Sequence, residues 1–235
     1  PQPETPAQPR LRPRLAMDRS PLAAAAVVVA ALSSASFRMV GPIYGQEVGL
    51  SAGQIAWFLS AFVLGGALAQ FPIGWLADKF DRRWVLIWLS AASIVSCAVT
   101  VMAAGMGTGA VFLSATLFGL TTFPIYSVAA SHAHDFAKSE ERVELSAALM
   151  FWFAVGAIFA PYLASVLIEN YGPAALFGMI SIGHGVLVIF GLTRMRARPT
   201  AKKRTPYVYA PRTTFMIGRL MRRQRDNRSD GRKAP

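Results

Sequence analysis

The sequence predicts an all-α membrane protein with six transmembrane helices. Of its 235 residues, 54% are hydrophobic and only 15% are charged, whereas soluble domains carry about 25% charged residues. The apolar residues also form long continuous runs, and a helix needs about 20 such residues to cross a hydrocarbon core of about 30 Å. A soluble helical bundle is excluded, because these helices have no polar faces to turn to water. A membrane β-barrel is excluded too, because its strands would alternate apolar and polar residues with period two and these runs are continuously apolar.

The elements follow one another with short connections. Residues 1–20 are basic and proline-rich, which is typical of a linker. Residues 194–235 are rich in arginine and proline with little apolar periodicity, which predicts a disordered tail. Between them lie six predicted spans, of which only the first holds a charge, Arg38: residues 21–44, 55–77, 84–106, 110–131, 145–168 and 173–193.

The basic residues predict the orientation, because Lys and Arg accumulate in short cytoplasmic segments. If both termini are cytoplasmic, every one of the 24 basic residues except Arg38 lies on the cytoplasmic side. The loops expected outside carry no Lys or Arg, and they contain Glu47 and Glu169. The tail could bind anionic lipid or nucleic acid, but we interpret it as a topology signal and expect no nucleic-acid partner.

A charged motif connects the second and third spans. Residues 74–83 read Gly-Trp-Leu-Ala-Asp-Lys-Phe-Asp-Arg-Arg. They resemble the loop signature of the major facilitator superfamily at five of its six positions, with Asp81 in place of the usual second glycine. Residues 41–44 and 64–74 also resemble a bacterial branch of that superfamily whose substrates are mostly unassigned. The motif residues with a predicted role at a gate are Gly74, Asp78, Lys79, Arg82 and Arg83.

The resemblance implies a fold, a partner and an activity. Family members have twelve helices in two halves, each built of inverted three-helix repeats, and they move small solutes by alternating access. The leader resembles the linker that joins the halves and the tail resembles a C-terminus. The chain is therefore expected to be the C-terminal half of a permease in the bacterial inner (plasma) membrane, partnered by the N-terminal six-helix half.

The motif has a physical interpretation of its own. A glycine at position 74 would permit close approach of a neighbouring helix. Asp78 could cap a helix or pair with an arginine, and such a pair can form in one conformation and break in another. This describes a latch at a gate, and the alternative is a loop whose charges only set topology.

Five polar residues within or beside the spans are candidates for the substrate pathway. Arg38 could line the pathway or extend to the outer end of its helix. Tyr44, Gln70 and Tyr126 could bind solute or a neighbouring helix. His184 lies between two glycines, and proton handling and helix packing explain it equally well. Gly156 and Pro161 resemble the pattern that bends helices at the gating interface of the superfamily.

Other chemistry has little support in the sequence. His132 and His134 point to different sides of a helix, and Cys97 is the single cysteine, so we expect no metal site and no cofactor. The sequence has no HExxH motif, no Ser/His dyad motif and no paired intramembrane Asp, so we expect no enzyme. The alternative to a transporter is a structural or regulatory membrane domain that acts through its basic tail.

Overall fold

The computed structural model describes residues 10–197, and every regular element in this range is helical. Six stretches within it are long and apolar enough to cross a membrane, as the sequence predicts. Residues 1–9 of the expected linker and 198–235 of the expected tail lie outside the described residues. The helices are α1 (Pro13–Arg19), α2 (Pro21–Glu47), α3 (Ala52–Lys79), α4 (Arg82–Ala103), α5 (Thr108–Thr122), α6 (Pro124–His134), α7 (Arg142–Tyr171) and α8 (Ala175–Ala197).

Most helices extend a few residues beyond the apolar runs that predicted them. The start of α3 has a capping box, in which Ser51 Oγ accepts from the Gln54 backbone N–H and Gln54 Oε1 accepts from the Ser51 N–H. The Asp81 side chain caps the start of α4, where Oδ1 accepts from the Arg83 backbone N–H. A hydrophobic run marks the part of a helix that suits hydrocarbon, whereas the helix itself continues to its cap.

Part of the expected linker is helical. Pro13 occupies the first turn of α1, where its missing N–H costs no hydrogen bond. Leu15 and Ala16 are buried, and α1 packs against α7. A few apolar side chains in seven residues are too few to stand out from a basic segment, although the two that are buried suffice to dock one short helix.

The fourth predicted span is divided into two helices. α5 ends at Thr122, Phe123 follows, and α6 begins at Pro124. Proline has no N–H to donate and its ring crowds the preceding turn, so it interrupts the helical hydrogen bonds at this point. The division lies near the middle of the stretch Thr108–His134 that crosses the membrane.

The helices pair in a pattern with two-fold character. The most extensive contacts join α2 to α7 and α3 to α5. If α2, α3 and α4 are exchanged with α5–α6, α7 and α8, the first pair maps onto the second. The third major pair, α4 with α8, maps onto itself. This is the pattern that two inverted three-helix repeats produce.

The core has two parts, one towards each end of the bundle. We call the end at which α3 meets α4 the motif end, and the opposite one the far end. Towards the motif end the core is aliphatic, with Val85, Leu86 and Leu149 buried in it. Towards the far end it is aromatic, and Phe37 lies 4.3 Å from Phe62 and 5.2 Å from Phe118, measured between ring centroids.

Candidate functional site: a central cavity and a charged motif

A partly open cavity of about 550 Å³ lies between α2, α3, the α5–α6 junction and α7. This volume falls in the range of small-molecule sites, about 300–1,000 Å³. Its walls are mainly apolar, with Ala30, Met150 and Phe153 among them. Six lining residues are polar: Ser34, Arg38, Gln70, Thr122, Tyr126 and Ser127.

Arg38 provides the charge of this cavity. Its Nε donates to the carbonyl oxygen of Ser34, one turn earlier in α2, at 3.2 Å. The side chain therefore runs back towards the middle of the span and away from the far end of the helix, in the direction in which helical side chains tilt. Among the described residues Arg38 makes no ion pair.

Gln70 and Tyr126 face the same cavity from α3 and α6. The Ser127 hydroxyl lies 3.3 Å from Gln70 Oε1 and joins the two helices. The Tyr126 ring stands edge-on to Phe153 with centroids 5.4 Å apart. Within the described part of the chain, neither the Tyr126 hydroxyl nor the Gln70 Nε2 has a hydrogen-bond partner.

The interruption of the fourth span borders this cavity. Thr122, Phe123 and Tyr126 lie on either side of Pro124, and all three contribute to the walls. Phe123 keeps helical dihedral angles, with φ −60° and ψ −44°, so the backbone stays helical here and Pro124 only removes one hydrogen bond beside the cavity.

The structure places Tyr44 and His184 away from the cavity. Tyr44 is 2% exposed, and its hydroxyl donates to the carbonyl oxygen of Thr100 at 2.8 Å. His184 is fully buried, with Nε2 2.9 Å from Ser33 Oγ. The Ser33 hydroxyl also lies 3.0 Å from the Val29 carbonyl oxygen, one turn earlier in α2. In both cases the hydrogen bond fastens one helix to another.

Arg82 is the centre of the charged motif. One terminal nitrogen donates to Asp78 Oδ1 at 3.1 Å, and the other donates to Asp135 Oδ1 at 2.5 Å and to the Ser131 carbonyl at 3.1 Å. The side chains of Arg82 and Asp135 are 14% and 9% exposed. The arginine thus fastens the end of α3 and the start of α4 to the end of α6.

The rest of the motif forms local contacts. Arg83 Nη2 pairs with Asp81 Oδ2 at 2.8 Å. Asp81 has φ −64° and ψ 119°, a conformation open to any L residue, so the turn here does not need the glycine that the signature has at this position. The Lys79 ammonium lies 4.8 Å from the centroid of the Trp75 ring.

The glycines of the sequence prediction differ in their surroundings. A Cβ at Gly74 would meet nothing within 4 Å, so the described residues provide no close helix neighbour at this point. A Cβ at Gly156 would lie 2.9 Å from Ala31 Cβ and 3.0 Å from the Val28 carbonyl. Gly156 therefore allows α7 to cross α2 closely, and Pro161 lies inside α7 five residues later.

A second set of contacts at the motif end was not predicted from the sequence. Arg19 Nη2 pairs with Glu141 Oε1 at 2.5 Å, and Arg12 Nη1 with Glu144 Oε2 at 3.2 Å. The Trp152 indole donates to the Pro13 carbonyl at 2.9 Å. Together they hold α1 against α7. The opposite charges of residues 10–19 and 140–144 were the available signal, but nothing in the sequence brings the two segments together.

A family model described as Major Facilitator Superfamily matches residues 23–225. An uncharacterized MFS-type transporter of Yersinia enterocolitica is 28% identical over 167 residues, which cover 71% of this chain and 41% of the relative. A second, of Salmonella paratyphi B, is 31% identical over 143 residues, covering 60% and 35%. The chain thus spans less than half the length of these relatives.

The fold is also similar to that of solved transporters. The crystal structure of the POT family transporter PepTSo gives a TM-score of 0.65 at 21% sequence identity, covering 88% of this chain and 42% of that chain. An auto-inhibited POT family peptide transporter gives 0.61 at 18% identity, covering 83% and 43%. At these identities the likeness shows the fold alone.

Proposed function

The chain belongs to the major facilitator superfamily, and on this premise we propose that it forms one six-helix half of a secondary active transporter that moves a small solute by alternating access. The family is one of membrane transporters, and the chain is a multi-pass membrane protein. The observation that carries the proposal is the central cavity, which combines an intramembrane arginine, an amide and a phenol with apolar walls.

The surface of the bundle supports a partner half. α3 and α7 are the least buried of the six spans, with 28% and 17% of their most apolar stretch buried. They exchange with each other in the two-fold pattern and both border the cavity. Phe71 on α3 is 85% exposed and Ile158 on α7 is 69% exposed. We assign these two helices to the interface with the N-terminal half, which would close the open side of the cavity.

The proposed arrangement places the motif end in the cytoplasm, with both termini on that side, as the basic residues predict. The cavity then lies between a cytoplasmic gate, to which Gly74 and the charged motif belong, and an outer gate at the far end. Gly156, where α7 crosses α2 closely, and Pro161, inside the same helix, are suited to the bending that alternating access needs.

Filling the cavity tests this proposal. Ala154 is a small cavity-lining residue on α7, and Ala154→Trp would project an indole ring into the space that a solute needs. Ala98→Trp, on an exposed position of α4, is the matched control. The assay is uptake of a radiolabelled solute library by proteoliposomes that contain this chain together with its partner half. We expect Ala154→Trp to abolish the uptake and Ala98→Trp to retain it.

The opposite results are equally clear. If no solute enters the vesicles above the protein-free background, the chain does not serve transport, and the alternative of a regulatory domain gains support. If a solute enters equally well through the Ala154→Trp protein, the cavity is not the pathway.

A further inference from the structure

We propose that the solute bound in the central cavity carries an anionic group, a carboxylate, phosphate or sulfonate, and that Arg38 binds this group. The inference rests on the proposed function, because it concerns the cargo of the same cavity. It names a chemical class for that cargo from the charge and the hydrogen-bond donors that the cavity presents.

The Arg38 side chain points towards the middle of its span. Arg38 lies nine residues before Glu47, the last residue of α2. An arginine that extends to the far-end interface would turn its guanidinium towards Glu47. Instead its Nε donates to Ser34 O, one turn towards the middle of the span, so the charge is held beside the cavity at membrane depth.

Arg38 has no countercharge among the described residues. No Asp or Glu of residues 10–197 lines the cavity, and Arg38 has no ion pair there. An uncompensated cation within a bilayer is costly, and such groups are normally paired. A guanidinium also matches carboxylate, phosphate and sulfonate oxygens with two parallel N–H donors. An anionic solute would therefore supply the missing charge.

The other polar groups of the cavity also favour an anion. The Tyr126 hydroxyl and the Gln70 Nε2 can donate to a solute, and the described chain offers them no other acceptor. The hydroxyls of Ser34 and Thr122 donate to carbonyls of their own helices, at 2.8 Å each. Donors thus face the acceptor oxygens of an anion, while Met150 and Phe153 are available to its carbon skeleton.

The charge of the cavity can be measured without knowing the solute. A cysteine is introduced as Ala154→Cys in the assembled transporter, and the unaltered protein, whose Cys97 is buried, gives the background. The probes are two methanethiosulfonate reagents, one bearing an ethylsulfonate and one an ethyltrimethylammonium. Their rate ratio is normalised to that at Met106→Cys, an exposed position at the far end.

We expect the sulfonate reagent to be favoured at residue 154, and Arg38→Gln to lower the normalised ratio by about fivefold or more, as the loss of a unit charge across a small cavity implies. Arg38→Lys should keep most of the ratio. Arg14→Gln removes the same charge from an exposed site outside the cavity and should leave it unchanged. An unchanged ratio in Arg38→Gln, or a preference for the cationic reagent in the parent protein, overturns the inference.

Protection of the same cysteine identifies the anionic group. Benzoate, phenylphosphate and benzenesulfonate are compared with the matched neutral probe benzamide and the cationic probe benzylamine. Slower modification with one or more anions, lost in Arg38→Gln, supports the inference and names the group. Protection by benzamide or benzylamine alone, or by no probe at all, counts against a bound anion.

The two proposals fail separately. Charge selectivity at residue 154 does not require turnover, so a protein that shows it and transports no solute refutes the transport function and keeps the anion site. A protein that transports a solute without this selectivity refutes the anion site alone.

Discussion

At the scale of single residues, Arg82 joins three segments through one guanidinium. Asp135 is its more buried acidic partner, with a side chain 9% exposed against 34% for Asp78. Removing one member of a buried ion pair leaves the other charge without compensation, which costs far more than the loss of an exposed pair. The two acids of the motif therefore differ in what they contribute to stability.

We predict that Asp135→Ala lowers the free energy of unfolding by about 2–3 kcal/mol, less than for a fully buried pair because Arg82 keeps its bonds to Asp78 and the Ser131 carbonyl. Asp78→Ala should lower it by about 1 kcal/mol or less. The measurement is thermal or denaturant unfolding of the purified protein in mild detergent. Glu140→Ala, at an exposed acid of the same end, controls for net charge and should have almost no effect. Equal losses for Asp135→Ala and Asp78→Ala would mean that burial does not decide the contribution.

The charged motif could be recognised in the sequence, but not all of its ion pairs could be predicted. Asp78 and Arg82 lie four residues apart, so their pairing follows from helical spacing. Asp135 lies 53 residues from Arg82, and only the packing of α6 beside the α3–α4 connection brings them together. The same holds for Tyr44 and His184. A polar residue in an apolar run can face a cavity or another helix, and the sequence of the run does not show which.

At the scale of elements, close helix crossings are placed alike in the two repeats. Gly156 is the 15th residue of α7 and Gly65 the 14th of α3. Each meets the backbone of a partner helix, Gly156 at Val28 and Gly65 at Thr116. Association of membrane helices depends on such close packing, because lipid is as apolar as the side chains it would replace.

We predict that Gly65→Ala and Gly156→Ala each destabilise the fold by about 1–3 kcal/mol, because the added methyl group must displace a packed neighbour. Gly65→Ala should cost more, since its methyl group would lie 2.0 Å from the Thr116 carbonyl oxygen, whereas that of Gly156→Ala would lie 2.9 Å from its nearest neighbour. Gly185→Ala is the control, because it lies inside α8 with no atom within 4 Å, and it should be neutral or stabilise by up to about 1 kcal/mol through helix propensity. If all three variants kept native stability, the close helix crossings at Gly65 and Gly156 would not contribute to the stability of the fold.

The number and type of the spans were predictable, because the length and polarity of an apolar run suffice to detect a membrane helix. The interruption at Phe123 was not predicted, although Pro124 is visible in the sequence. Pro42, Pro72 and Pro161 lie inside unbroken helices, so proline alone does not locate a break. The cavity could not be predicted, because its position depends on which faces of α2, α3, α6 and α7 meet. An apolar run without a polar face does not show which side of the helix packs against its neighbours.

Across the whole molecule, the two-fold pairing and the exposed faces of α3 and α7 support the proposal that the chain is half of a larger assembly. The charged motif lies at the end of α3, one of the two helices that we assign to the interface with the partner half. A change in the Asp78–Arg82 pair would therefore act where the halves close. Asp78 is the exposed member of the Arg82 cluster, so it can exchange partners while Asp135 continues to hold the arginine.

We predict that Asp78→Ala shifts the assembled transporter towards the inward-facing state. Asp78 is partly exposed in this chain alone, but the partner half would shield it from water when the cytoplasmic gate is closed. A charge-assisted hydrogen bond shielded in this way is worth about 1–3 kcal/mol, which changes a balanced two-state population by about 5- to 150-fold. Turnover should slow while solute binding remains. Asp78→Asn should have the smaller effect, because its amide oxygen still accepts a hydrogen bond from Arg82 without carrying a charge.

The readout is the rate at which a cysteine at the motif end, introduced as Ser146→Cys, reacts with a membrane-impermeant thiol reagent added from the cytoplasmic side. Its rate should rise in Asp78→Ala and stay constant in Glu140→Ala, which removes an equal charge from the same end without an ion pair in the described residues. Because Ser146 lies beside His134, a second cysteine at Val143, exposed on α7, separates gate opening from a local change. Unchanged rates at both positions, together with normal transport, would leave the motif as a topology signal and would place the gate elsewhere.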